Sequence, residues 1–183
     1  MMVPPQLPVI DFTEGYDIEA IRRARWAVGR YNENRSGMYT APQYENRRTV
    51  HMGIDIWAPE GEAVYAVAEG RVAYLHNHRE RGNYGPTLVL HHRFGNLDIY
   101  ALHGHLNQRS ILRWNPGDRV EKGEEIANLG AIEENGGWEP HLHYQISWDD
   151  PGEADMPGVV APEEREEALN RYPDPRIIVG TLY

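Results

Sequence analysis

The sequence predicts a mainly β protein, an antiparallel β-sandwich or half-barrel, and three observations carry that prediction. Between residues 49 and 149, short apolar runs recur, each bounded by Gly or Pro. Two of these runs are separated by Phe94-Gly95-Asn96, which reads as a hairpin turn. The segment Leu142 to Trp148 alternates strictly: Leu142, Tyr144, Ile146 and Trp148 share one face, and His141, His143 and Gln145 share the other.

The elements follow in order. Residues 1–48 form an N-terminal extension rich in Pro, Arg and Tyr. It carries one predicted helix from about Asp17, a capping residue, to Arg30, with Ile18, Ile21, Arg25 and Val28 at three- and four-residue steps. Its Arg22, Arg23 and Arg25 read as a solvated helix face. Residues 31–47 read as an irregular arm outside the core. Residues 49–149 form the central domain, with strands expected at Ala63–Ala68, Gly70–Leu75, Thr87–His91, Leu97–Leu102, Ile126–Leu129 and His143–Trp148. His76 and His78 flank Asn77 in an apparent turn and read as exposed; His91 and His92 end a strand and read as structural. The tail, residues 150–183, is expected to pack on the domain as a mostly irregular segment. It has a short acidic helix over Pro162–Asn170, and a return of Arg176–Gly180 to a sheet edge. No chemistry is legible there.

Pro59-Glu-Gly61-Glu-Ala-Val64 and Pro116-Gly117-Asp-Arg-Val120 echo one another, each with a turn glycine three residues before a valine. The echo resembles the barrel-sandwich hybrid pattern of biotinyl and lipoyl folds, a sheet doubled on itself. No lysine hairpin suited to carrying such a group accompanies it.

Composition narrows the chemistry. With 18 basic and 28 acidic residues the net charge is −10, which repels phosphate backbones, so no nucleic-acid partner is expected. There is no cysteine, so disulfides, thiolate metal sites and a cysteine nucleophile are excluded. Lys122 is the only lysine, which excludes a P-loop and disfavours a Schiff base; Ser36, Ser110 and Ser147 lie in no nucleophile elbow. No apolar run reaches the roughly 20 residues of a membrane span. Met1 to Asp11 shows no basic segment followed by an apolar one, so a cytoplasmic location is expected, with export left open.

Nine histidines and many carboxylates remain. Five of the histidines fall in three clusters: His51-Met-Gly53-Ile-Asp55, Tyr100-Ala-Leu-His103-Gly-His105-Leu106 and Pro140-His141-Leu142-His143. Imidazole and carboxylate suit Zn²⁺, whose catalytic sites use three protein ligands and keep one position open. A His-x-His pair on a strand places both rings on one face, about 6.5 to 7 Å apart. One ring can then hold a metal while its neighbour moves protons. Gly53 fits a tight bend that lets His51 and Asp55 converge.

These clusters resemble the M23 family of zinc metallopeptidases, the lysostaphin and LytM-like endopeptidases with a duplicated hybrid motif fold. The resemblance rests on His51-x-Gly53-x-Asp55, the Tyr-x-His-Leu-like central segment and Pro140-His141-Leu142-His143. Ala66-Val67-x-x-Gly70-x-Val72 and Gly117-Asp118-x-Val120-x-x-Gly123-x-x-Ile126-Ala127-x-x-Gly130 extend it across about residues 49–149. It implies zinc held by His51, Asp55 and His143, with His141 and His105 catalytic. In the central segment Gly104-His105-Leu106 matches the family pattern, and His103 is the rival. The implied activity is metallo-endopeptidase cleavage of a peptide amide, with peptidoglycan cross-link peptides as the family's substrate class. The alternative is a non-catalytic module that binds a peptide or a partner protein. Tyr100, Tyr144 and Trp138 are candidate groove residues. Asn135-Gly136-Gly137-Trp138, the insert Leu112–Asn115 and the tail depart from the common pattern, and are similar to the variant fused to aminotransferase and kinase-like domains in bacteria.

Overall fold

Between Val50 and Ser147, runs of β-branched, aromatic and leucine residues broken by glycine turns fold as strands, with one short helix, Gln108–Ile111, among them. The computed structural model describes residues 6–45 and 47–183, so Pro4 and Pro5 of the leading segment lie outside them. The chain runs through α1 (Ile18–Ala24), β1 (Ala27–Gly29), β2 (Val50–His51), β3 (Ile54–Trp57), β4 (Ala63–Tyr65), β5 (Gly70–His78), β6 (Gly85–Phe94) and β7 (Leu97–Gly104). It continues through α2 (Gln108–Ile111), β8 (Arg119–Val120), β9 (Glu125–Asn128), β10 (His141–Ser147), β11 (Val159–Val160), α3 (Arg165–Arg171) and α4 (Arg176–Val179). No helix among the described residues is long and apolar enough to cross a membrane.

Seven strands form one antiparallel sheet in the order β1-β3-β10-β7-β6-β5-β8, beside two ribbons, β4 with β9 and β2 with β11. The mainly β, antiparallel prediction therefore holds, including the Gly95-Asn96 hairpin between β6 and β7. Alternation sorts the large sheet into two faces. On one, Ile54, Ile56, Leu88, Leu90, Leu142, Tyr144 and Ile146 join Val64, Ile126 and Leu129 of the β4–β9 region in the main core. On the other, Val89 and Leu102 join Val50, Met52, Tyr84, Met156, Val160 and Tyr172. Trp57 joins Phe12, Ile21, Met38 and Tyr39. This second face, covered by the extension and the tail, holds the site.

Four expectations are corrected. The helix stops at Ala24, because Arg25 takes a positive φ of 44° and Ala27–Gly29 instead pairs with the edge of β3. A seven-residue helix has little stability of its own, so burial of Ala27 and Val28 wins over helical spacing. Residues 31–47 are not a peripheral arm: Glu33, Arg35, Met38 and Tyr39 are buried. His76 and His78 lie on a strand, not in a turn, because β5 continues to pair with Thr87, Pro86 and Gly85; His76 is exposed and His78 half-buried. In the tail, Val159 pairs with His51, and Arg176–Val179 is a helix, started by Pro175 and capped where Asp174 accepts from the Arg176 amide.

Candidate metal centre

Strand register builds the site. His143 of β10 lies directly across from Asp55 of β3, so both side chains stand on the same face at the same height. His51 arrives from β2, one short bend before β3. Gly53 in that bend has no positive φ; its role is close approach, since a Cβ there would lie 2.5 Å from Cε1 of His143. The bend expected at Gly53 is present, and the absence of a side chain there serves the approach of the His143 ring.

Three donor atoms converge. Nε2 of His51 and Nδ1 of His143 are 3.1 Å apart, and Oδ1 of Asp55 lies 3.2 Å and 3.0 Å from them respectively. All three residues are buried. Their outer atoms are already committed. Nδ1–H of His51 donates to the Arg30 carbonyl at 2.9 Å. Nε2–H of His143 donates to Oε1 of Gln145 at 3.0 Å, and the Gln145 amide donates in turn to the Pro157 carbonyl. A neutral imidazole carries one proton, so the atoms facing each other are three lone pairs with no proton among them. Such a triangle is repulsive unless a cation sits against it. A tetrahedral zinc, at about 2.0–2.1 Å from each donor, holds its donors about 3.3–3.4 Å apart, close to the observed spacing.

Electrostatics agree. Burial, helped by the Arg35 charge, pushes the His51 imidazole down to about 4, so it presents a lone pair at neutral pH. Burial alone would push the Asp55 carboxyl up; the Arg35 guanidinium, donating to its Oδ2, works against that, and the carboxyl lies well below the usual carboxylate range.

His141 and His105 stand beside this triangle. His141 shares the face of His143 by alternation, its Nε2 is 3.8 Å from Oδ1 of Asp55, and its ring stacks on Trp57. The ring of His105 lies 4.2 Å from that of His141. Both present Nε2, because Nδ1–H of His141 donates to the Glu139 carbonyl and Nδ1–H of His105 to the Asn135 carbonyl, each at 2.7 Å. Burial lowers both pKa values, that of His105 strongly because a second charge beside His141 is also disfavoured, so both rings are neutral at neutral pH. His103 is elsewhere: it pairs across from Leu88 and Tyr144 on the main-core face and packs on the Tyr144 ring.

A model of the family described as peptidase family M23 matches residues 49–155. The chain belongs to peptidase family M23. Over 96 residues this M23 chain is 33% identical to the DD-carboxypeptidase/endopeptidase Mpg of Neisseria meningitidis serogroup B, across 52% of the chain and 20% of that protein. It is equally 33% identical over 96 residues to the murein hydrolase activator NlpD of Escherichia coli K12, across 52% of the chain and 22% of that protein. The matched segment thus spans only about a fifth of these curated relatives. Among solved structures, the catalytic domain of the prophage-encoded M23 protein EnpA from Enterococcus faecalis aligns with a TM-score of 0.51 at 21% identity, covering 75% of this chain and 89% of that one. The catalytic domain of lysostaphin from Staphylococcus simulans aligns with a TM-score of 0.50 at 16% identity, covering 81% and 96%. Those two share the fold.

The M23 site opens into a cleft of about 470 Å³ that holds His51, Asp55, His105, His141 and His143 together. One wall comes from the extension, with Tyr39, Tyr44 and Arg48, and another from the tail, with Asp155, Met156 and Tyr172. Of the aromatics singled out from the sequence, Trp138 lines the cleft; Tyr100 instead reaches Asp150, and Tyr144 is buried in the main core. Sequence reasoning missed the tail wall, Arg35 and the task of Asn135. The departure at Asn135-Gly136-Gly137 was the available signal for Asn135, whose carbonyl orients His105 and whose side chain ties Gly130 to Trp138.

Proposed function

We propose that the chain is a zinc-dependent metallo-endopeptidase that hydrolyses a peptide amide, with peptidoglycan cross-link peptides as the substrate class. The observation that supports it is the pairing of two neutral, proton-free Nε2 atoms, on His141 and His105, with the convergent His51, Asp55 and His143 donors. The relatives, a DD-carboxypeptidase/endopeptidase and a murein hydrolase activator by name, favour the cell-wall peptide.

His51, Asp55 and His143 would hold the zinc, and Gln145 and the Arg30 carbonyl fix the ring orientations. Zinc bound there supplies polarisation of the scissile carbonyl and a water acidified toward a pKa of about 7. One of the two free imidazoles takes up the proton released on attack, at its Nε2. The ring so protonated then donates that proton from its Nε2 to the leaving amine, while the other presents a second Nε2 acceptor beside it. Their backbone-held Nδ1 atoms keep both rings in the required tautomer throughout.

Metal analysis should return one zinc per chain, and a panel of glycyl and D-alanyl cross-link peptides should be cleaved. His141→Ala should abolish cleavage while zinc stays bound; loss of zinc in that variant would exchange the roles within the pair. A zinc-loaded chain that leaves the whole panel intact would point instead to a non-catalytic module of the activator kind.

A further inference from the structure

Arg35 has the largest fully buried charged side chain of the described residues, at 0% exposure, and it lies outside the segment that matches the family. Its Nη1 donates to Oδ2 of Asp55 at 2.6 Å and to the Tyr39 hydroxyl at 3.0 Å, and its Nε donates to Oε2 of Glu33 at 2.9 Å. Room for it is made at Gly29, where a Cβ would lie 2.6 Å from Nη2 of Arg35. The same loop supplies the Arg30 carbonyl that accepts from His51, and the Glu33 carbonyl accepts from the His51 amide at 2.9 Å.

Six consecutive residues, 30–35, therefore hold two of the three donor residues from behind. A buried guanidinium is retained only where its charge and its donors are matched, and here Glu33 and Asp55 supply both matches. The geometry also divides the Asp55 carboxylate: Oδ2 is taken by Arg35, and Oδ1 alone faces the two imidazoles.

We infer that Arg35, backed by Glu33, is a positioning residue that keeps Asp55 a one-oxygen ligand and so keeps a coordination position open for substrate chemistry. This rests on the metal-centre reading above. The planar fork of Arg is what the role needs: it reaches Asp55, Tyr39 and Glu33 at once, which a lysine ammonium on a flexible stem does not.

The test loads the full chain with Co²⁺ in place of zinc and compares wild type with Arg35→Lys and Arg35→Gln. Visible absorption reports coordination number, and chelator competition reports metal affinity. Circular dichroism checks that each variant is folded. Wild type should show the intense bands of a four-coordinate ion. In Arg35→Gln, Oδ2 is released toward the metal, so the bands should weaken toward a five-coordinate spectrum and affinity should change roughly 10- to 100-fold. Arg35→Lys, which keeps the charge and is the variant better placed to fold, should show the same spectral change to a smaller extent. A folded Arg35→Lys or Arg35→Gln chain with the wild-type spectrum and affinity overturns the inference and leaves the metal centre standing. A wild-type chain that takes up no Co²⁺ overturns the metal centre and this inference with it.

Discussion

His141 and His143 lie two residues apart within β10, and His103 and His105 lie two residues apart at the end of β7. On β10 the strand runs on to Ser147, so alternation places both rings on the site face. On β7 the strand ends at Gly104, and His105 takes a left-handed φ of 61°. That turn is held by the His105 amide donating to the Tyr84 carbonyl and the Gly130 amide donating to the His105 carbonyl. It carries the His105 ring to the site face while His103 stays in the main core. Identical spacing thus gives a same-face pair where the ladder continues and an opposite-face pair where it stops. A non-glycine residue held in the left-handed region is costly by about 1–3 kcal/mol, and such positions concentrate at working sites.

The largest expected effect breaks the β7 pair apart. His105→Ala should lower kcat/KM by about 10²- to 10⁴-fold with zinc retained, whereas His103→Ala should leave kcat/KM within a few-fold. Equal losses in the two variants, measured on zinc-loaded protein, would sink the assignment of His105. A smaller effect tests the β10 pair sterically. Gly53→Ala places a Cβ against the His143 ring, and zinc affinity by chelator competition should fall roughly 10-fold. Unchanged affinity would show that the ring yields freely.

The smallest effect separates the two histidines by pH. Burial, with the nearby His92 charge, pushes His103 down to about 3, against 6.5 for an ordinary histidine. The native state therefore stays unprotonated at His103 where the unfolded chain binds a proton. The stability this contributes is complete above pH 6.5 and is lost progressively as pH falls from 6.5 toward 3. His103→Gln keeps a donor for the Leu88 carbonyl and removes the titration. Its Tm should fall less steeply than that of wild type between pH 7 and pH 5, and parallel Tm profiles would contradict the burial argument.

Part of the site was legible because its residues obey period two. His141 and His143 sit on one regular strand and alternation alone puts them on one face, whereas Asp55 joins them only through the pairing of β3 with β10. The choice between His103 and His105 was made by family pattern, since nothing in the spacing announces a left-handed residue. Arg35 was illegible for a different reason: in a segment rich in Arg and Tyr, a charge looks solvated, and only the fold brings Asp55 and Glu33 around it. The tail failed similarly. Val159 and Val160 are too short a run to declare a strand, and they become one only because β2 offers an edge. The helix over residues 17–30 failed at its second half, where tertiary pairing with β3 overrode local spacing.

The ribbon of β2 and β11 would give an ion at the candidate metal centre a mechanical role. His51 belongs to this small ribbon, while Asp55 and His143 belong to the seven-stranded sheet. An ion shared by the three would be a removable rivet between the ribbon and the sheet, which the chain itself links through Met52 and Gly53. With it in place, the ribbon and the tail segment that forms it could not open without releasing the ion, so the cleft wall and the candidate metal site would share one opening equilibrium. Chelation would hand the ribbon its own, lower, opening energy, and amide exchange would quicken in Val50–His51 and Val159–Val160 before it reached the sheet.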